Sequence, residues 1–180
     1  MKNKVSDYIN NEFLDEDGFY TIDINLDNKF CIYNELSVGK QLELNDDIFN
    51  YIDNKSDVIP NDYKLKIRFA GRKLREEDKK NINKLLHEHY YVIMENIKKE
   101  LDSLTFKMII LLLFGLFCFT LYFIVVNKIS FNSLLLEFLG LVGSFSIWES
   151  FGLFVFDRKE ILYKYYGSIQ NFKQIIEYEE

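Results

Sequence analysis

Apolar and polar side chains alternate with a period of two at Phe19–Asn25 (FYTIDIN), and Tyr63, Leu65, Ile67 and Phe69 alternate in the same way with Lys64, Lys66 and Arg68. That is the period of a strand with one face in a core. Residues 29–33 form a shorter β-type run, and Leu26-Asp27-Asn28 before it predicts a hairpin turn. Asn45 followed by Asp46 and Asp47 supplies an N-cap and a negative first turn for a helix whose apolar face is Ile48, Phe49, Tyr51 and Ile52. Pro60 stops any helix running through it. From Arg75 the period lengthens to that of a long helix: Ile82, Leu85, Leu86, His89, Ile93, Ile97, Leu101 and Leu104 make one stripe. No Gly or Pro lies between Arg72 and residue 107, so this helix is expected to run on as a stiff rod.

The next two segments need a bilayer. Residues 108–127 (MIILLLFGLFCFTLYFIVVN) hold no charge, and as a helix they span roughly 30 Å, the thickness of a hydrocarbon core. Residues 129–156 form a second apolar run, interrupted by Glu137 and by Glu149 beside the only tryptophan, Trp148. The first run lies too far along the chain for a cleaved signal peptide and lacks a small-residue cleavage site. Beyond the second run, residues 157–166 predict a short amphipathic helix with Tyr163, Tyr165 and Tyr166 at headgroup level, ended by Gly167. Residues 172–178 read as a strand whose only available partner is the N-terminal sheet.

The expected fold is therefore α+β. A small cytoplasmic antiparallel or mixed sheet with helices (1–104) precedes a transmembrane hairpin (105–156, spans near 106–127 and 134–156). Residues 157–180 return as a juxtamembrane helix and a strand that completes the sheet.

Charge sets the orientation. Lys98, Lys99 and Lys107 flank one span and Arg158, Lys159, Lys164 and Lys173 the other, whereas the connecting turn holds only Lys128. The positive-inside rule places both termini in the cytoplasm. Cys31 and Cys118 lie in unrelated segments without ligating neighbours, and both read as small buried apolar residues. Residues 1–62 carry five basic and fourteen acidic side chains, net −9; residues 63–84 carry nine against three, net +6. An anion would go to the second stretch.

Signals for catalysis are poor. His87-Glu88-His89 sets two imidazoles two residues apart, on different helix faces, where a zinc pair needs four. Val38-Gly39-Lys40-Gln41 imitates the end of a phosphate loop without its upstream Gly or following Ser/Thr. The chain is not read as an enzyme, and no metal or cofactor is expected. Lys64, Lys66 and Arg68 on the outer sheet face, with Arg72, Lys73 and Arg75 at the following turn, are the candidate anion site. They read either as a solvated face whose lysines guard an edge strand, or as a surface for nucleotide or oligonucleotide phosphates. Inner-leaflet lipid is less suited, since Lys84 stands about 30 Å along the rod from the span. Gly140, Gly143, Ser144, Ser146 and Ser150 give the second span small-residue surfaces. Glu149, Trp148, Ser146 and Glu137 are its candidate pore or gate residues, Glu149 first, because a carboxylate at membrane depth is costly and functional by default. The alternative is that Glu149 holds the hairpin together.

The endings Ile147-Trp148-Glu149-Ser150 and Phe154-Val155-Phe156-Asp157-Arg158-Lys159, with Leu44-Asn45-Asp46-Asp47, Tyr51-Ile52 and Ile59-Pro60 upstream, carry a resemblance. The chain resembles a group of small bacterial membrane proteins with an α/β N-terminal part and two spans. The architecture is similar to membrane effectors of bacterial anti-phage defence, such as that of the Hailong system. This resemblance implies a homo-oligomeric inner-membrane channel controlled by an oligonucleotide from a partner nucleotidyltransferase. The other reading is a membrane-tethered adaptor or regulatory subunit whose α+β domain docks a protein partner.

Overall fold

A computed structural model describes residues 14–15, 17–27, 29–128 and 133–179. Residues 1–13, and residues 129–132 of the connecting turn, lie outside them. Strands β1 (Phe19–Asn25), β2 (Lys64–Ala70) and β3 (Ile175–Tyr178) form one sheet in that order. Both pairings are parallel, Phe19 opposite Lys64 and Lys66 opposite Ile175. The sheet is therefore not the antiparallel or mixed one expected.

The physical reason lies just after β1. The Leu26 N–H donates to the Ala70 carbonyl (2.8 Å), so the ladder to β2 runs past the strand end and leaves no turn for a hairpin. Residues 29–33 make no strand; Tyr33 alone bridges Leu44 antiparallel. Ile32 is buried in the core with Phe30 and Tyr33 packed against it, and Cys31 is exposed, not buried as expected. The chain then crosses over through helix α1 (Asp46–Ser56), as a parallel pair requires. Asn45 caps α1 by accepting from the Asp47 N–H (3.0 Å), and Ile48 and Ile52 are buried, while Tyr51 of the expected face is exposed.

Gly71 ends β2 at φ +103, and a Cβ there would stand 2.9 Å from the Leu26 carbonyl oxygen. Both the backbone conformation and the close approach demand glycine. Gly71→Ala is expected to cost about 3 kcal/mol, read as a lowered unfolding midpoint of the domain.

Helix α2 (Glu76–Lys128) runs unbroken for 53 residues. Its acidic first turn, Glu76, Glu77 and Asp78, complements the helix dipole. Ile82, Leu86 and Tyr90 complete the core formed by Tyr20, Ile22, Ile24, Leu65, Ile67 and Phe69 of the sheet with Ile48 and Ile52 of α1. After α2 come α3 (Ser133–Gly152), a π-helical stretch (Leu153–Asp157) and α4 (Arg158–Phe172). Gly167 does not end this last helix. The chain stays helical because Gln170 donates to the carbonyls of Pro60 (3.1 Å) and Tyr63 (2.8 Å), and Asn171 to the Ser56 hydroxyl (3.2 Å).

The chain divides into two compact units, Met1–Glu95 with Tyr166–Glu180, and Asn96–Tyr165. The helical hairpin is thus an insert in the crossover from β2 to β3. Within the first unit Phe172 meets His87 (4.3 Å between rings) and Tyr91 (5.8 Å), so α2 and α4 adjoin where the insert leaves and returns. Replacing residues 96–165 by a short helix–helix turn should therefore give a folded, water-soluble α+β domain. Gel filtration and amide exchange check it; an aggregated product would refute it.

Candidate functional site

Lys64, Lys66 and Arg68 do share the outer face of the sheet, but two of the three already hold carboxylates. Lys66 Nζ lies 2.9 Å from Asp15 and 3.2 Å from Glu177, and its side chain is only 7 % exposed. Arg68 forms a two-pronged pair with Asp23, Nε to Oδ1 at 2.7 Å and Nη2 to Oδ2 at 2.8 Å. The hydrogen bond that Lys66 donates to Asp15 first, then the one to Glu177, raises the pKa of the Lys66 ammonium above its ordinary value, and Asp23 does the same for Arg68. Lys64 is exposed and stands over the Phe19 ring (5.5 Å). Because β2 is the central strand, these cations do not guard an edge. They cross-link β1 and β3 to it.

The turn behaves similarly. Arg72 donates to the Phe30 carbonyl (3.4 Å), Arg75 pairs with Asp78 (2.8 Å) and Tyr33 donates to the same carboxylate (3.1 Å). Lys73 is exposed. Arg75, with Tyr33, holds the Asp78 carboxyl below its ordinary value. Its folded pKa being depressed, Asp78 contributes stability above the unfolded value of 3.8 that is lost as pH falls through the folded one. Asp78→Asn should flatten that part of the acid limb of a melting-temperature profile.

These pairs change what a charge reversal does. Lys66→Glu would put a third carboxylate between Asp15 and Glu177 and is expected to abolish cooperative melting of the domain. Lys64→Glu, on the same face but exposed, should leave melting unchanged. Equal effects from the two would refute this account of the ladder.

In the second unit, small residues bring the helices together. A Cβ on Gly115 would lie 2.9 Å from the Gly143 carbonyl oxygen, and one on Gly143 would lie 3.1 Å from Cys118 Cβ. Ser150 donates to the Met108 carbonyl (2.9 Å), and Gly140 faces the Tyr122 ring. These contacts fix the antiparallel register. Met108, the first residue of the charge-free run, is level with Ser150. Gly115, packed against Gly143 and Ile147, sets Glu149 toward one end of that run, about one helical turn along the axis from the level of Lys107. The second apolar run looks deeper in sequence because residues 151–156 extend it past the start of the first.

The four candidate gate residues do not converge on one surface. Ser146 is buried in the seam and donates to the Val142 carbonyl (2.9 Å). Trp148 is 72 % exposed, and Glu137, eleven residues earlier and on the same helix face, is exposed. Glu149 sits half-buried at the flank of the seam and meets neither Lys107 nor any other polar partner among the described residues. The π-helical stretch after Gly152 is not visible in the apolar pattern, since one extra residue per turn leaves hydropathy unchanged.

Two helices, Glu76–Val126 and Leu134–Phe172, are long and apolar enough to cross a membrane. Their most apolar windows are only 11 % and 22 % buried, and Phe114, Phe117, Phe123, Leu141 and Phe145 lie open. Core helices of a water-soluble protein are covered; these are not. The arrangement is compatible with a membrane location.

Elsewhere, His89 stacks on Phe49 (3.9 Å between rings), and burial lowers its pKa from the ordinary value. Tyr90 donates to Asp53 (2.9 Å), whose carboxyl burial pushes up. Among the described residues no three His, Cys, Asp or Glu side chains come together to hold a metal. No family model matches the chain, and comparison with curated proteins and with solved structures gives no match either.

Proposed function

We propose that this chain is a membrane-anchored binding module, in which the hairpin tethers a cytoplasmic α+β domain that docks a protein partner. The observation that carries this reading is the place of the hairpin inside the crossover between β2 and β3. The domain closes its sheet only with chain that has already passed through both helices, so each end of the insert is bound into the same fold. The lysines and arginines flanking the hairpin put that domain in the cytoplasm under the positive-inside rule. The cations best placed for a free anion are committed to carboxylates, which favours protein recognition over phosphate binding.

A second reading rests on Glu149, which meets no polar partner among the described residues. In it, copies assemble in the bacterial inner membrane into a pore gated by Glu149 and controlled by a nucleotide or oligonucleotide made by a partner nucleotidyltransferase, as in anti-phage effectors. The two separate on one sample. Purified protein in liposomes is expected to pass no ions above empty vesicles, and Glu149→Leu to leave its size in detergent unchanged. Steady ion flux that is lost with Glu149→Leu, at unchanged oligomer size, would favour the pore.

A further inference from the structure

Strand β3 closes one side of the sheet, and among the described residues nothing pairs its outer edge. The Glu179 N–H donates to the Phe69 carbonyl (2.9 Å). In a parallel ladder the main-chain groups alternate sides, so Ile175, Glu177 and Glu179 face β2, while Ile176 and Tyr178 direct N–H and C=O outward. Beside that edge lies a groove of about 510 Å³ lined by Asn83, Lys84 and His87 of α2 and by Phe172, Gln174 and Ile176. The Gln174 Oε1 is buried and lacks a hydrogen-bond partner among the described residues. Ile175, on the opposite face of the edge, is 44 % exposed.

We infer that this edge takes an extended segment of a partner protein as a fourth strand, a segment that alternates apolar with basic residues. The inference rests on the reading of the chain as a protein-binding module. Main-chain groups of Ile176 and Tyr178 supply the pairing, as in other strand-addition complexes. Side chains of the incoming strand that point toward α2 meet Phe172 and Ile176, so they are apolar. Those on the other face meet Glu177 and Glu179, so they are basic. Glu177 pairs with Lys66, while Glu179 is exposed and forms no ion pair among the described residues. The same acids argue against a second copy of this chain as occupant. Two β3 strands set edge to edge would bring Glu177 and Glu179 of one against those of the other.

The test uses the full chain in lipid nanodiscs and a synthetic peptide alternating valine and lysine. Addition of the peptide should slow amide exchange at Ile176 and Tyr178 by about tenfold or more. A peptide of the same composition with valines and lysines in separate blocks should not do so. Nor should an alternating peptide N-methylated on its pairing amides. Glu179→Lys, at an exposed position, should weaken binding severalfold. Three results would overturn the site: equal binding of the N-methylated peptide, meaning charge attraction alone; protection confined to other elements; or slow exchange at Ile176 and Tyr178 before peptide is added, with doubled mass, meaning a second copy on the edge. Ion flux in liposomes from the same preparation separates the levels. Flux dependent on Glu149 defeats the binding-module reading, whereas no flux and no protection at β3 defeats this edge site alone.

Discussion

A chain ended after Gly167 is expected to lose cooperative folding of its α+β domain, an effect on the order of 5 kcal/mol, comparable to the whole stability of a small domain. The removed segment is short, but it holds Phe172, Ile176 and Tyr178, all packed against the core. The Tyr178 ring stacks on Phe69 (5.6 Å), and its hydroxyl lies within hydrogen-bond distance of the Lys79 carbonyl (3.0 Å) and the Asn83 Oδ1 (2.8 Å). Gln170, which closes the loop at Pro60 and Tyr63, goes too. Lys66 would keep Asp15 but lose Glu177, and β2 would gain an open edge. Amide exchange across β2 is the measurement. Unchanged protection at Ile67 and Phe69 after truncation would mean that β3 contributes little.

Gly143→Leu is expected to drive the two helices of the hairpin apart, at about 3 kcal/mol. A side chain there meets Cys118 Cβ at 3.1 Å and the Gly115 backbone oxygen at 3.2 Å, and a backbone atom cannot swing aside. Cysteines placed at Met108 and Ser150, in a Cys118→Ala background, report the seam, because Ser150 bonds the Met108 carbonyl. They should cross-link in the parent and fail to do so with Leu at position 143. Persistent cross-linking would show that the helices are held elsewhere than at this glycine pair.

Local chemistry made much of the fold legible. The two long strands, the Asn45 cap, the uninterrupted α2 and both apolar runs follow from patterns a few residues long, and so does a C-terminal strand. The parallel sense of the sheet does not. It depends on where the Leu26 N–H finds its acceptor, Ala70, which lies forty-four residues away. The candidate site was legible only by half. Alternation placed Lys64, Lys66 and Arg68 on one face, but nothing in their neighbourhood announces Asp15, Asp23 or Glu177, which come from three other segments. A run of cations looks unoccupied in sequence because its counter-charges are distant in chain order.

The depth of Glu149 is the same lesson in the hairpin. Counting residues from the ends of its own apolar run places it well inside. The contacts of Gly115, Gly143 and Ser150 with the facing helix place it near the end of the charge-free run of α2. Sequence alone marked the two long strands, the capped helix and the apolar runs, because those choices depend on periodicity and on capping by near neighbours. It misread residues 29–33 as a strand and Gly167 as a helix end. Tertiary structure decided strand direction, which charges are paired, and the level at which Glu149 sits. Each of these depends on register between segments distant in the chain, and register is set by packing and by hydrogen-bond partners that no local pattern contains.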